Sequence, residues 1–272
     1  MVAAPPKLAL AETYTRRVHA SVSRIWENVY DWEHLAHLHD GSFSECELLA
    51  EGGWGWRVRL TLARGDEQVI ELRADKGQGR YVSTTLEGTG IGTEIRVRLT
   101  PVEAYVTDVQ VEFHVPETRP DRLRAIGLAY AEAYARLWDE DEAMMRERER
   151  MLALRNVPRT APESVDLGPA DQVRQALPLT FAFGGRTFRL IEIEGDLRAH
   201  ATVCPHLLGP LGDSPVLDGA VLCPWHGYRF DVASGTCLNR LGLKLEPAPA
   251  ILIAHARVVA TSGTSGEIRD GM

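Results

Sequence analysis

Four residues in the last third of the chain have the types and spacing of a metal centre. They are Cys204-Pro205-His206 and, sixteen residues further on, Cys223-Pro224-Trp225-His226-Gly227. Each pair offers one soft thiolate and one imidazole. One iron of a two-iron cluster takes two thiolates and the other takes two neutral imidazoles, so two such loops meeting from opposite sides can satisfy both. A zinc ion is the competing chemistry, although zinc ribbons more often present cysteines in pairs. Two buried cysteines with incidental histidines is the plain structural alternative. Pro205, Gly209, Pro210, Pro224 and Gly227 would stiffen the loops. A second group lies early in the chain, where Asn28, Asp31, His34, His37 and His39 follow one another closely. Two imidazoles and a carboxylate on one face of Fe(II) leave the opposite face open. On an unbroken helix His34 and His37 share a face, whereas five residues turn through roughly 500°, leaving His34 and His39 about 140° apart. A helix ending near His39, ahead of Gly41, would let its imidazole turn back.

The Cys-x-His and Cys-x-x-His loops resemble the Rieske motif, and the stretch from Trp225 to Cys237, WHGYRFDVASGTC, is similar to Rieske ferredoxins and Rieske oxygenases. The resemblance implies a [2Fe–2S] cluster on Cys204, His206, Cys223 and His226. Rieske proteins of respiratory cytochrome complexes carry an extra cysteine in each loop and hydroxyls two and four residues after the second histidine. Here Gly209, Trp225, Tyr228 and Phe230 occupy those places, so fewer hydroxyls reach the sulfurs and a lower potential is expected. Cys237 reads as a packed thiol.

The early stretch resembles the Asn-x2-Asp-x2-His-x4-His pattern of Rieske non-haem iron oxygenases, matched by Asn28, Asp31, His34 and His39. The resemblance implies a mononuclear non-haem Fe(II) on His34, His39 and a carboxylate from a long helix late in the catalytic domain. That helix here holds Asp139, Glu140 and Asp141. Asp141 falls in line with the apolar row Ile126, Tyr130, Leu137 and Met144 or Met145, and Asp139 faces away. Asp141 is thus the expected ligand, with Glu140 as its alternate and His37 as the alternate to His39. Asp31 is implied as the bridge between His34 and His226, fixing both tautomers. A metal-free pocket in which Trp32 packs and Asp31 caps a helix is the bland alternative.

The elements that must position these residues read as two domains. A strand over Tyr14–Ala20 is followed by a helix capped at Ser21 or Ser23 and a short helix over Asp31–His39. Strands are expected near 43–50, 54–64, 67–74, 80–86, 92–100 and 104–115, separated by short turns that make neighbours antiparallel. A helix then runs from about Arg119 to Leu154. This order resembles the START-like (SRPBCC) helix-grip fold, in which a curved sheet wraps a long helix around an apolar cavity. The fold class is α+β: a helix-grip catalytic domain over 11–153, a linker over 154–165, an all-β Rieske domain over 166–260 and a disordered tail over 261–272. Most Rieske oxygenases place the two domains in the opposite order.

The length of 272 residues suits two domains, and 44% hydrophobic and 25% charged residues suit a globular protein. A net charge of −8 argues against nucleic acid, and Arg146–Arg150, alternating with glutamates, reads as a solvated helix face. No apolar run spans a membrane and no signal peptide is visible, so a cytoplasmic protein is expected. The four cysteines suggest no structural disulfide. Gly88-Thr89-Gly90-Ile91-Gly92 reads as a hairpin turn, Trp54 and Trp56 as core or pocket wall on one strand, and no nicotinamide or flavin fingerprint is present. Electrons would then come from an external ferredoxin or NAD(P)H-dependent reductase. The expected activity is mono- or dioxygenation, using O2 to hydroxylate or dealkylate a small apolar, even aromatic, substrate. The family resemblance further implies a homo-oligomer, typically a trimer. The alternative is a non-catalytic Rieske ferredoxin fused to a metal-free START-like binding domain.

Overall fold

The computed structural model describes residues 7–155 and 162–262. The chain forms two compact units that divide between Glu149 and Arg150.

The first unit is α+β. Its elements are β1 (Ala9–Val18), α1 (Val22–Tyr30), α2 (Leu35–Leu38), β2 (Phe43–Gly52), β3 (Gly55–Leu62), β4 (Glu67–Asp75), β5 (Arg80–Gly88), β6 (Glu94–Glu103), β7 (Val106–Val115) and α3 (Pro120–Leu154). All seven strands form one antiparallel sheet in the order β1-β7-β6-β5-β4-β3-β2. Apolar residues at period two, such as Val97 and Leu99 on β6 and Val109, Val111 and Phe113 on β7, point to the core. Trp138 and Met145 of α3 complete that core with Ile25, Trp26 and Val29 of α1. This sheet and long helix are the START-like helix-grip arrangement.

Several local features depart from the sequence reading. β1 starts at Ala9 rather than Tyr14 because pairing with β7 continues to Ala9↔Val115, past a bulge between Leu10 and Glu12. The short helix is a single turn, Leu35–Leu38. Asp31 leaves helical geometry (φ −88°, ψ 87°) as the C-cap of α1, its N–H donating to Asn28, so it caps an end rather than a start. Ser21 is the N-cap, its hydroxyl accepting from the Arg24 amide. Trp54 sits in the turn before β3 with Arg73 over its ring at 5.1 Å, while Trp56 on β3 is buried and donates to Val29 at 2.8 Å. The run Arg146–Arg150 is not wholly solvated. The Arg148 guanidinium, 15% exposed, is bidentate to Glu27, and Glu149 accepts from Ser21. Charges alternating along a helix can serve tertiary pairs as readily as water, and periodicity alone does not separate the two.

The second unit is mostly β. It contains β8 (Ser164–Pro169), α4 (Ala170–Gln175), β9 (Leu179–Phe183), β10 (Arg186–Ile193), β11 (Asp196–Ala201), β12 (Val216–Leu217), β13 (Ala220–Leu222), β14 (Arg229–Asp231), β15 (Ala250–Ala254) and β16 (Arg257–Thr261). Three antiparallel three-stranded sheets result, β11-β10-β9, β12-β13-β14 and β15-β16-β8. Of the expected linker, Leu154 still belongs to α3, Ser164 and Val165 already pair with β16, and 156–161 lie outside the described residues. Of the expected tail, Thr261 ends β16 and 263–272 lie outside them. Among the described residues no helix is long and apolar enough to cross a membrane.

Candidate metal centres

In the second unit the loop after β11 carries Cys204 and His206, and the β13–β14 hairpin carries Cys223 and His226. Both loops close in the same way. The Cys204 amide donates to Gly209 O at 2.8 Å and Leu208 N–H returns to Cys204 O at 3.1 Å. The Cys223 amide donates to Tyr228 O at 2.8 Å and Gly227 N–H returns to Cys223 O at 3.0 Å. The residue four places after each cysteine has positive φ, 67° at Leu208 and 64° at Gly227. Glycine takes that conformation freely, and the buried Leu208 takes it under strain.

The two loops bring their donors together. The rings of His206 and His226 are 4.6 Å apart, with the Tyr228 ring 5.0 Å from one and 5.7 Å from the other. Cys204 and Cys223 are buried, and none of the four cysteines is in a disulfide. The two sulfurs act on each other: the adjoining Cys204 sulfur pulls the Cys223 thiol down, and Cys223 together with burial pushes the Cys204 thiol up. Gly209 leaves the cradle open: a Cβ there would meet the Trp225 ring at 3.0 Å and Cys223 Sγ at 3.1 Å. Two buried thiols, the buried His226 imidazole and the half-buried His206 imidazole beside it fit a [2Fe–2S] group. Cys237 is buried, its Sγ 3.4 Å from Asn239 Oδ1, as a packed thiol would be.

In the first unit His34, His39 and Asp141 meet, each offering one donor atom within 4.8 Å of the others. His34 Nε2 lies 3.5 Å and His39 Nε2 3.2 Å from the same oxygen, Asp141 Oδ1. The helix problem is solved by interruption. His34 precedes the single turn α2 and His39 follows it at φ −104°, ψ 40°, so the chain swings the second imidazole back to 5.1 Å from the first. The two histidines are 4% and 2% exposed. His37 projects from the turn's exposed side, outside the group. Glu140 is not on the shared space either. Its carboxylate takes His39 from the far side, Oε2 lying 2.6 Å from Nδ1, and is 42% exposed. Asp139, 71% exposed, pairs with Arg16.

Asn28 donates to Asp141 Oδ1 at 3.0 Å. Burial raises the Asp141 carboxyl, but His39, His34 and Asn28 outweigh it and the net direction is down. Burial likewise lowers His39, and Asp141 then Glu140 reverse that to a net rise. Electron pairs of two buried imidazoles and a carboxylate converge on one space, where only protons or one cation reconcile them. The donor set fits a divalent iron. His34 Nδ1 has no hydrogen-bond partner among the described residues and lies 3.7 Å from Asp31 Oδ2, beyond hydrogen-bond reach.

Three features were not visible in sequence: the Glu140 contact to His39, the clearance at Gly209, and the buried His200, whose Nδ1 lies 3.0 Å from Ala201 O. Glu140 had a signal, since it adjoins Asp141. Gly209 and His200 had none without the loop and strand geometry.

Residues 163–245 match the family model of the Rieske [2Fe-2S] domain. No curated protein matches the chain in sequence. Among solved structures the chain is similar to a START superfamily protein from Mycobacterium smegmatis, at 19% identity over 49% of this chain and 95% of that one, TM-score 0.41. It is similar to the Zhui aromatase/cyclase from Streptomyces sp. R1128, at 18% identity over 53% and 98%, TM-score 0.44. It is also similar to the ferredoxin of carbazole 1,9a-dioxygenase from Nocardioides aromaticivorans IC177, at 20% identity over 37% and 98%, TM-score 0.31. The stretch 163–245 is a Rieske [2Fe–2S] domain, and the group it implies is a [2Fe–2S] cluster.

Proposed function

We propose that the chain is the oxygenase component of a Rieske non-haem iron system, hydroxylating or dealkylating a small, largely apolar substrate with electrons from an external ferredoxin or reductase. The observation that carries this reading is the convergence of His34, His39 and Asp141 in a chain that also contains a Rieske domain. Iron in that group, with a [2Fe–2S] cluster on Cys204, His206, Cys223 and His226, would supply reductive activation of dioxygen. The chain's own residues do the rest. Asn28 donates to the Asp141 oxygen and holds it in place, and Glu140 accepts the Nδ1 proton of His39, which leaves Nε2 unprotonated as the electron-pair donor. The partly buried apolar side chains Phe43, Ile70 and Ile95 pack on the core cluster and suit an apolar guest.

The test is a His34→Ala chain. It should keep the visible absorption of the cluster and lose substrate-coupled oxygen consumption when supplied with a ferredoxin and its reductase. Full oxygen-coupled turnover in that variant contradicts the reading and leaves a binding and electron-transfer protein.

A further inference from the structure

A third loop stands beside the two that carry the cluster donors. It runs from Cys237 to Leu243 and presents two leucines to water, Leu241 at 99% exposure and Leu238 at 57%. Its backbone is fastened. The Leu238 amide donates to Arg229 O at 2.7 Å, and the Cys237 amide donates to Leu243 O at 3.1 Å. Asn239 ties the loop to its neighbour twice: Oδ1 accepts from the Arg229 amide at 2.9 Å, and Nδ2 donates to Gly227 O at 3.0 Å. The exposed leucines are therefore held in place next to the Cys223–His226 loop. A solvated leucine contributes no burial to this fold, but the same side chain gains when a second protein covers it.

The charge around these leucines is one-sided. The Arg240 guanidinium lies 5.8 Å from the centre of the Tyr228 ring, and that ring lies 5.0 Å from His206 and 5.7 Å from His226. The cation and both imidazoles thus neighbour one phenol ring. Arg229 and Lys244 are exposed. Residues 201–212, 223–230 and 236–244 hold these three cations and no carboxylate, in a chain of formal net charge −8. Asp231, the next carboxylate along β14, is turned to its own turn, accepting from the Ser234 amide at 2.7 Å and hydroxyl at 2.6 Å. His206 is half-buried and His226 is 3% exposed, so His206 is the imidazole nearer to water. The chain as a whole repels an acidic protein, while this one face attracts it. Such a field orients an encounter as well as speeding it.

We propose that Leu238, Leu241, Arg229, Arg240 and Lys244 form the docking surface for an acidic electron-transfer protein. Its carboxylates meet the three cations, and an apolar recess covers the two leucines, beside His206. One electron leaves the partner's reduced iron–sulfur centre and turns one ferric iron of the cluster ferrous; no bond forms or breaks. The proposal rests on the reading that the Rieske domain exchanges electrons with a separate protein, and not on the mononuclear iron.

The first probes are hexacyanoferrate(III), an anionic oxidant, and tris(phenanthroline)cobalt(III), a cationic one. Each is mixed with the dithionite-reduced full chain, and the return of the cluster's visible absorption gives the rate. Raising salt from about 10 mM to about 500 mM screens the field. The anion's rate should fall about tenfold and the cation's should not fall. The net charge alone would give the opposite signs, and that result overturns the proposal. Arg229→Ser/Arg240→Ser/Lys244→Ser should reverse the signs, whereas Arg229→Lys/Arg240→Lys should keep them; a serine variant that behaves as the natural chain overturns the proposal. The third probe is a reduced, acidic plant-type [2Fe–2S] ferredoxin, whose potential lies below that of Rieske centres. Leu238→Ser/Leu241→Ser should slow its electron transfer about tenfold and leave both small-ion rates within about twofold, because only covered apolar surface is lost. An unchanged ferredoxin rate overturns the proposal. All variants are compared at equal cluster absorption. Iron counted on the same samples separates the two readings: about two irons per chain with the expected salt signs supports this surface and overturns the oxygenase reading, and about three irons with the opposite signs does the reverse.

Discussion

His39 is clasped by consecutive residues of one helix: Glu140 lies 2.6 Å from Nδ1 and Asp141 lies 3.2 Å from Nε2. One carboxylate thus fixes the tautomer and the other shares the space that the bare nitrogen faces. Replacing Glu140 by Ala should weaken iron retention by about 10- to 100-fold, the range for partners of histidine ligands. Glu140→Gln, which still offers an acceptor, should weaken it less. Chelator competition on the assembled protein measures both, and the cluster absorption should not change. Equal iron affinity in Glu140→Ala and the natural chain would contradict this role.

The same helix is pinned at the next position. Glu142, buried, accepts from Arg16 Nε at 3.0 Å, from a second Arg16 nitrogen at 2.6 Å and from the His19 amide at 2.9 Å. Arg16→Ala leaves that carboxylate enclosed without its cation, a loss of about 3 kcal/mol. A thermal melt reads the first unit's stability directly. An unchanged melting temperature would show that the fork is incidental.

Acid should loosen the packing of α1 on α3. Burial pushes the Glu27 carboxyl up, but Arg148 and then Arg24 outweigh it, and the net direction is below its ordinary 4.5. A folded value below the unfolded one gives stability that is complete above about pH 4.5 and is lost as pH falls through the folded value. Arg148→Gln should therefore show a shallower loss of melting temperature between about pH 7 and about pH 3. Superimposable acid limbs would contradict the pairing.

Gly209 has no left-handed backbone to explain it, only space. Gly209→Ala places a methyl 3.0 Å from Trp225 and 3.1 Å from Cys223 Sγ, both packed. Cluster loading, read by visible absorption and labile sulfide per chain, should fall while the first unit's melt stays unchanged. Full loading in Gly209→Ala would mean that the loop gives way.

Much of this was legible in sequence because strong local signals coincided with the tertiary outcome. Alternating strands between Gly-rich turns are legible for β2 to β7 to within about three residues, since one-sided burial fixes a period of two, whereas β1 starts five residues earlier than expected. The cluster loops were legible because thiolate and imidazole at short spacing have few other uses. The partner of His34 was open, as helix periodicity favours His37. What decides for His39 in the fold is that α2 lasts one turn, a matter of the Asp31-Trp32 break and the docking of β2 directly after it. The inward aim of Asp141 was legible from the apolar row on α3. The outward contact of Glu140 was not, because it depends on which side of the helix the returning His39 arrives. Arg148 was misjudged for the same reason: its partner Glu27 is far away in sequence.

The most direct test is iron and labile sulfide per chain in the anaerobically assembled protein. The account predicts about three irons with about two sulfides, falling to about two and two in His34→Ala. About two irons in both proteins would mean that His34, His39 and Asp141 bind one another and no metal.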